Sequence, residues 1–575
     1  MRKICLWLTA LLCLLLLPSG AMAAKEIWQT VTVTRAETDT PDAVERLAVY
    51  SASGGKYLFL PGGWDTGSLR FWCSGTGALT LNDEAVTSGD VVSCLTPGAS
   101  VKVGVGKKSF TLKVLQGDQV GSVFMTTASG SLKKIEAKRG NEETGSIVIN
   151  DENGSLLTAQ ALTQVRCHGN SSFTTFKKKS YQFKLESKKN LFGMGKAKTW
   201  LLISCYRDRS FLRNAITSDL ASYAGLPYSP QMVHVSLYVN GEYRGLYLLS
   251  EKVQVNSARV DIDDLEKETE ALNDQPLSDY DAVGRSQAVG TKLGSGRYYD
   301  IPNSPEDITG GYLFELEWYS VPWQRGGTAY RSKHNMFIYL KSPKYCSKSE
   351  YEYITGLAQS LENAIFAKDG IDPDTGKHYS EIVNVESLVL KLTLEEVVKN
   401  YDGNRTSQYF YKPADSESTL LQVGPVWDYD SSYGCFRLSK YPDTDDPEGL
   451  SVTMGKSLDK EKTRCWYPAF YRHTEIQESV RQAYIDKYRH GISILLGEET
   501  DPTGTLRSLE EYAAPIASAA AMDTIRWPFR KISPNEAYSG KDLDTAVTFL
   551  RSWLTQRRDF LDEKWELTDA DRAGK

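Results

Sequence analysis

Over the first hundred residues, apolar and polar positions alternate in short runs: LAVYSA, YLFLPGG, SLRFWCSG, ALTLNDEAV and SVKVGVG, each followed by turn-forming residues. A period of two with regular turns predicts a small all-β, sandwich-like domain over residues 24–118, with binding or spacing as its expected role. VGSVFMTTASGSLKKIEA and GSIVINDENGS then predict strand hairpins that open a second domain, residues 119–575. Farther on the period changes. Residues 348–366, 384–399, 475–496, 505–520 and 541–563 carry apolar side chains three to four apart and predict helices. Between the second and third of these, QYFYKP and TLLQVGPVWDYD flank the polar turn ADSES and predict one more hairpin. The expected class is α+β.

The middle of the chain carries its own pattern. VRCHGNSSFTTFKKKSYQFKL (165–185) reads as a glycine turn followed by an alternating strand. Lys179 there shares parity with Tyr181, Phe183 and Leu185, whereas Lys178 is expected to face solvent with Gln182 and Lys184. RDRSFLRNAITSDLASYAG predicts an amphipathic helix ending at Gly225, and MVHVSLYVNGEYRGLYLLSEKV predicts a hairpin turning at Asn240-Gly241. The acidic run DIDDLEKETE and the Gly-rich sequence after it, within about 256–311, read as a solvated surface insertion.

Composition changes this picture little. A 575-residue chain with 41% hydrophobic and 24% charged residues has room for several domains, and its formal charge of −6 gives no support to a nucleic-acid partner. The start does change it. A positive n-region, an apolar run from Ile4 to Leu17 and the small-x-small triplet Ala21-Met22-Ala23 predict a signal peptide over residues 1–23, with an exported mature chain beginning near Ala24. A lipoprotein is disfavoured, because Leu12 rather than a small residue precedes Cys13. A membrane-spanning anchor needs roughly 20 apolar residues, and none follows. The seven remaining cysteines are an odd number, with Cys73 and Cys94 the candidate disulfide. No Cys/His spacing suggests zinc.

Candidate chemistry gathers around the late hairpin. Asp402 precedes its first strand and Asp428 and Asp430 follow its second, so all three are expected at its open end. Three carboxylates without a histidine form a hard, oxygen-rich site suited to magnesium or manganese, with one carboxylate free to serve as a base. Aspartates flanking strands also make turns and caps with their own oxygens, and spacing alone does not separate the two. If the strand ran on through WDYD, Asp428 and Asp430 would project to one side; if the chain turns after Asp428, that residue is the expected ligand and Asp430 its support. A lysine strand, a helix, a loop aspartate, a strand pair and a metal-binding aspartate follow the order of a protein-kinase-like phosphotransferase.

HGNSS with KKSYQFKL, Arg213-Asn214, NGEYRGLYLLSEKV, GGYLFELE, NYDGNRTSQYFYKP and GPVWDYDSSYG together resemble the spore-coat protein H (CotH) kinase family over roughly residues 120–470. The resemblance implies an atypical bilobal kinase domain, with an N-lobe about 119–255 and a C-lobe about 312–575. It implies a secreted bacterial phosphotransferase using ATP and Mg2+ or Mn2+ on protein hydroxyls, and no nucleic-acid partner. By it Asp402 matches the catalytic aspartate, Lys179 the nucleotide-phosphate lysine, and Asp428 or Asp430 the metal ligand. Gly169 and Asn170 match the phosphate-approaching turn, and Glu251 the YxLxE glutamate near the cleft. Two departures stand out: Ser407 replaces the asparagine expected as second metal ligand, and the 207–224 helix offers only Asp208 and Asp219 where a glutamate would pair with the lysine. A non-catalytic surface or envelope protein using the same fold is the alternative.

Overall fold

The computed structural model describes residues 26–284, 296–317, 326–400, 402–404, 406–436, 444–452, 465–530 and 540–572. The expected signal peptide lies outside them, as do Tyr401, Arg405 and part of the expected insertion. The chain divides into two compact units, one formed by residues up to Leu60, Trp64–Gln116 and Gly241–Tyr243, the other by the remainder.

The first unit holds β1 (Val31–Arg35), β2 (Leu47–Ala48), β3 (Tyr50–Ala52), β4 (Gly55–Pro61), β5 (Leu69–Cys73), β6 (Leu79–Leu81), β7 (Glu84–Val86), β8 (Asp90–Val92), β9 (Ser100–Val105) and β10 (Lys108–Gly117). They form two sheets, ordered β2-β1-β5-β8 and β3-β4-β10-β9-β6-β7. Alternation buries Val31 and Val33, Leu69 and Phe71, Val101 and Val103, and Leu112 and Val114. Cys73 and Cys94 are both free thiols, as are the other five described cysteines, so the candidate disulfide is absent.

In the second unit seven strands close into a barrel: β11 (Gly121–Thr127), β12 (Glu142–Asn150), β13 (Leu156–His168), β14 (Ser180–Asn190), β15 (Lys196–Ile203), β16 (Met232–Val239) and β17 (Glu242–Glu251). The order is β11-β12-β13-β14-β15-β17-β16, and β16 runs parallel to β11, with Val123 opposite Leu237, to complete the circle. Closure leaves no exposed strand edge. Val123, Val165, Phe183, Trp200, Leu237 and Tyr247 fill the interior. The turn between β16 and β17 has positive φ at both Asn240 (53°) and Gly241 (86°), the backbone that an Asn-Gly pair supplies at low cost.

A seven-stranded sheet follows, built from β18 (Ala282–Gly284), β19 (Gly296–Tyr299), β20 (Tyr312–Glu317), β21 (Ala329–Arg331), β22 (Phe337–Ser342), β23 (Gln408–Lys412) and β24 (Gln422–Val423). Its order is β18-β19-β21-β22-β20-β23-β24, with the anticipated hairpin pairing Phe410 with Val423. One face carries Phe314, Leu316, Ile338 and Phe410 into the largest core, where helices α1 (Arg213–Ala224), α2 (Lys348–Phe366), α3 (Val385–Val398), α4 (Ala517–Arg526) and α5 (Leu543–Lys564) contribute. Capping sets several starts: Ser347 with Glu350 opens α2, Asn384 accepts from Ser387 N for α3, and Asp542 accepts from Thr545 N for α5. Mixed helices and sheets make the chain α+β.

Two expectations change. Helix α1 begins at Arg213 rather than 207, because Asp208 accepts the backbone amides of Ser210 (3.0 Å) and Arg213 (2.9 Å) ahead of it. It is also buried on nearly every side rather than amphipathic, since it lies inside the large core. The expected 505–520 helix breaks into Leu509–Ala513, a short tight turn containing Pro515, and α4, as a proline in mid-helix requires.

Helix α4 supplies the least expected contact. Lys178 is 1% exposed rather than solvent-facing, and its ammonium donates to Asp523 Oδ1 of α4 at 2.6 Å and to the Leu246 carbonyl at 2.5 Å. Asp523 Oδ1 also accepts Leu246 N at 2.9 Å. Burial drives the Lys178 pKa down, with Asp523 opposing. Gly245, at φ +115°, leaves the space: a Cβ there would meet Asp523 Oδ1 at 2.2 Å and Lys178 Cε at 2.9 Å. Removing one partner of a buried pair strands the other charge, so Asp523→Ala is expected to cost about 3–5 kcal/mol in chemical denaturation. The double replacement Lys178→Met with Asp523→Leu is expected to recover most of that loss; equal destabilisation by both would mean that volume, not charge, dominates the contact.

Candidate functional site

Strand β24 ends at Val423, so WDYD is not extended, and Asp428 sits at φ +70° where the chain turns. Helix α3 ends at Lys399 (φ 47°), and the loop that follows brings Asp402 and Ser407 (φ 58°) toward it. Asn400 ties the two segments together: its Oδ1 accepts Asp402 N at 3.2 Å and its Nδ2 donates to the Asp428 carbonyl at 3.4 Å. Ser407 Oγ donates to Asp428 Oδ2 at 3.3 Å. Left-handed backbone at Lys399, Ser407, Asp428 and Tyr433 costs on the order of 1 kcal/mol per residue and persists only where the surroundings enforce it.

Those surroundings are a buried polar frame beneath the loop. Tyr429, between the two aspartates, donates its N–H to Asn214 Oδ1 of α1 (2.8 Å) and its hydroxyl to Glu395 Oε1 of α3 (2.7 Å). Glu395 is paired with Lys391, whose ammonium also reaches Gln408 Oε1 at 2.5 Å, beside Ser407. The free Glu395 Oε2 leaves room for no side chain at Gly403, where a Cβ would lie 2.4 Å away.

The electrostatics follow from crowding. Asp428 is exposed as a residue, while the protein around its carboxyl still desolvates it. That burial, then the charges of Asp430 and Asp402, hold its carboxyl well above the ordinary aspartate range, with Arg207 and the Ser407 hydroxyl opposing. Arg207 donates to Ser431 Oγ at 2.6 Å, and Ser431 in turn donates to Asp430 Oδ1 at 3.2 Å. The three aspartates are thus electrostatic neighbours. Among the described residues, however, no three His, Cys, Asp or Glu side chains gather closely enough to hold a metal by themselves. An open hard-oxygen site of this kind fits magnesium or manganese, which bind through one or two carboxylates and complete their shell with phosphate oxygens and water.

Next to Trp427, through His168, lies a cationic face. Strand parity turns Tyr247, Leu249 and Glu251 into the barrel and Lys252 outward, on the side of Arg166 and His168. Lys341 of β22 stands on the sheet face that carries Glu315 and Tyr409, bonds Glu315 at 2.9 Å, and is held above its ordinary pKa by Glu315 and Tyr409 against the effect of burial. Burial first, then Lys341 and Arg166, push Lys252 down to about 8; burial first, then Lys252, Lys341, Arg139 and Arg166, push His168 down to about 3. Trp427, next to Asp428, meets the His168 ring edge-on at 6.4 Å and packs in a small apolar cluster with Tyr409, Leu313 and Val253. The cations and the aspartates therefore flank one tryptophan.

The expected nucleotide residues fare unevenly. Gly169 (φ +99°) and Asn170 form the turn directly after His168, and Arg139 donates to Asn170 Oδ1. The Lys179 ammonium is occupied by the Phe173 and Phe176 carbonyls, closing the short Ser171–Thr175 helix. Glu251 does not face the cleft. Its carboxylate is 1% exposed and held by Arg259, by Tyr228 Oη at 3.0 Å and by Gln231 N at 2.9 Å. Neither aspartate of the 207–224 segment pairs with a strand lysine: Asp208 is taken by Arg213 and Asp219 by Tyr512 at 2.6 Å. Arg207, Asn400, Lys252 and Lys341 were missed; the parity of Lys252 relative to Glu251 was the available signal.

The second unit is thus an α+β unit that carries an acidic turn and, next to Trp427, a group of basic side chains. The family model described as CotH kinase protein matches residues 165–561, more than half of the chain, and the protein belongs to that family. No curated protein matches. Among solved structures, a putative glycoside hydrolase from Bacteroides thetaiotaomicron is similar at 13% identity and a TM-score of 0.11, covering 53% of this chain and 82% of that one, a likeness that carries no structural argument.

A carboxyl whose pKa is raised by folding penalises the fold above that pKa, and the penalty vanishes as pH falls below the unfolded value. Asp428→Asn is therefore expected to raise the metal-free melting midpoint at pH 7.5 by about 1–2 °C and to leave it unchanged near pH 4. A lower midpoint at pH 7.5 would show that Asp428 is held by favourable contacts rather than crowded.

Proposed function

We propose that this protein is an exported ATP-dependent phosphotransferase that acts on hydroxyl groups of secreted or surface proteins, in a kinase-like two-lobed domain. Family membership supports a kinase-like enzyme. The observation that carries the reading is Asp428: an open carboxylate crowded by two others, across from desolvated cations. Asp402 orients the attacking hydroxyl and accepts its proton. Asp428 is the principal metal ligand, supported by Asp430, with Ser407 holding the Asp428 carboxylate in place. Bound there, magnesium or manganese neutralises charge on the nucleotide's phosphate oxygens. The Gly169-Asn170 turn borders the phosphates.

The alternative, a non-catalytic envelope protein, is favoured by Ser407 in place of asparagine and by the absence of an α1 carboxylate for a strand lysine. Thermal-shift titration with ATP and Mn2+ separates the two, since only a competent site gains stability by mass action. Transfer of labelled γ-phosphate to the protein itself or to an extract of secreted proteins completes the test.

Asp402→Asn is expected to lower phosphate transfer by on the order of 100-fold or more while metal-nucleotide binding persists. Asp428→Ala is expected to eliminate metal-dependent ATP binding, and Asp430→Ala only to weaken it. Equal loss of ATP affinity in Asp402→Asn would make that residue a ligand, and normal binding in both other variants would remove the metal from this turn.

A further inference from the structure

We propose that Lys252 and Arg166 on the outer face of the barrel, with Lys341 on the opposing sheet, form the receptor for the polyphosphate of the nucleotide. The assignment rests on the reading of this cleft as a nucleotide site and moves the phosphate contact away from Lys179. Among the described residues the half-buried Lys252 ammonium makes no hydrogen bond or ion pair, although Glu251 beside it is fully engaged. Lys179, by contrast, already serves two carbonyls.

The surroundings of Lys252 are mostly of its own sign. Lys341, Arg166 and Lys344 bear on it, Glu266 opposes them, and His168 nearby is held neutral. Glu266 is itself engaged by the Lys344 backbone amide. Packing several cations together with so little compensation destabilises a fold unless a ligand of opposite charge relieves it. A single carboxylate would answer only one of the three, whereas a triphosphate spreads several negative charges over a chain that reaches all of them. The position is right as well. His168, in the middle of the cluster, touches Trp427, and Tyr409 feels both Lys341 and Asp428. A polyphosphate on these cations therefore has its far end beside Asp428.

The experiment uses the full chain and isothermal titration with inorganic tripolyphosphate and with ATP, each with and without Mg2+, beside the phosphate-transfer assay. Lys252→Met is expected to weaken tripolyphosphate and ATP binding by about tenfold and to leave the metal-free melting midpoint equal or higher, since it removes a crowded charge. Wild-type affinity is expected to fall between pH 7 and 9 as Lys252 loses its proton, and Lys252→Arg to keep its affinity across that range. Unchanged affinity in Lys252→Met, or loss on Lys179→Gln with none on Lys252→Met, overturns the proposal. Arg166→Gln serves as a second variant with the same expected loss. Lys252-dependent tripolyphosphate binding without phosphate transfer sustains the receptor and removes the kinase reading; phosphate transfer with affinity insensitive to Lys252 does the reverse. A wild-type chain that binds neither anion overturns the receptor.

Discussion

Holding Asp428 under the negative charge of Asp430 and Asp402 in the turn after β24 is unfavourable, and a polar frame beneath the loop fixes that turn. Asp428 is pushed toward its neutral form by its packing and by Asp430 and Asp402, yet it stays put because its neighbours are fixed from below. Tyr429 is anchored at both ends, by α1 through Asn214 and by α3 through Glu395. Asn400 spans the two loops, and Ser407 meets Asp428 directly. Left alone, such a turn would relax by swinging the aspartates apart. The frame opposes that relaxation and keeps Asp428 under the charge of its neighbours.

The cationic face is the same device with the sign reversed. Lys341 is matched by Glu315 and held above its ordinary pKa, whereas Lys252 has no hydrogen-bond or ion-pair partner among the described residues and is pushed down to about 8. Two oppositely charged, partly desolvated surfaces on either side of Trp427 are each uncomfortable alone. The contact of His168, on the strand of Arg166, with Trp427, next to Asp428, links the two. A ligand bearing both a metal and phosphates would answer both, as the proposed phosphotransferase reading requires.

What the sequence made legible divides along the range of the interactions. Helices α2, α3 and α5 could be read to within two residues because their apolar period and caps are local. The hairpin at Asn240-Gly241 and the convergence of Asp402 with Asp428 were equally accessible, since a hairpin returns the chain to its start. Barrel closure was not, for the parallel pairing of β11 with β16 joins residues more than a hundred positions apart. Parity failed at Lys178 for a physical reason. Residues 180–183 are buried on both faces, the inner one by the barrel core, so alternation no longer marks which side meets water. Glu251 was placed near the cleft by its motif alone, whereas its strand parity turns it into the barrel opposite Trp200, where Arg259 and Tyr228 hold it.

The lysine that does lie buried, Lys178, finds its acidic partner far along the chain rather than in α1. In a kinase-like arrangement the acidic partner of a strand lysine is sought on the helix nearest in sequence, and here both aspartates of that segment are otherwise engaged. Lys178 is nevertheless paired, by Asp523, 345 residues away on α4. Asp523 also accepts Leu246 N on β17, so it joins the lysine segment, the barrel strand and the C-terminal helices at one point. Asp523 thus supplies to Lys178 the carboxylate that α1 does not, and the contact between the barrel and the helical core rests in part on a helix from the far end of the chain.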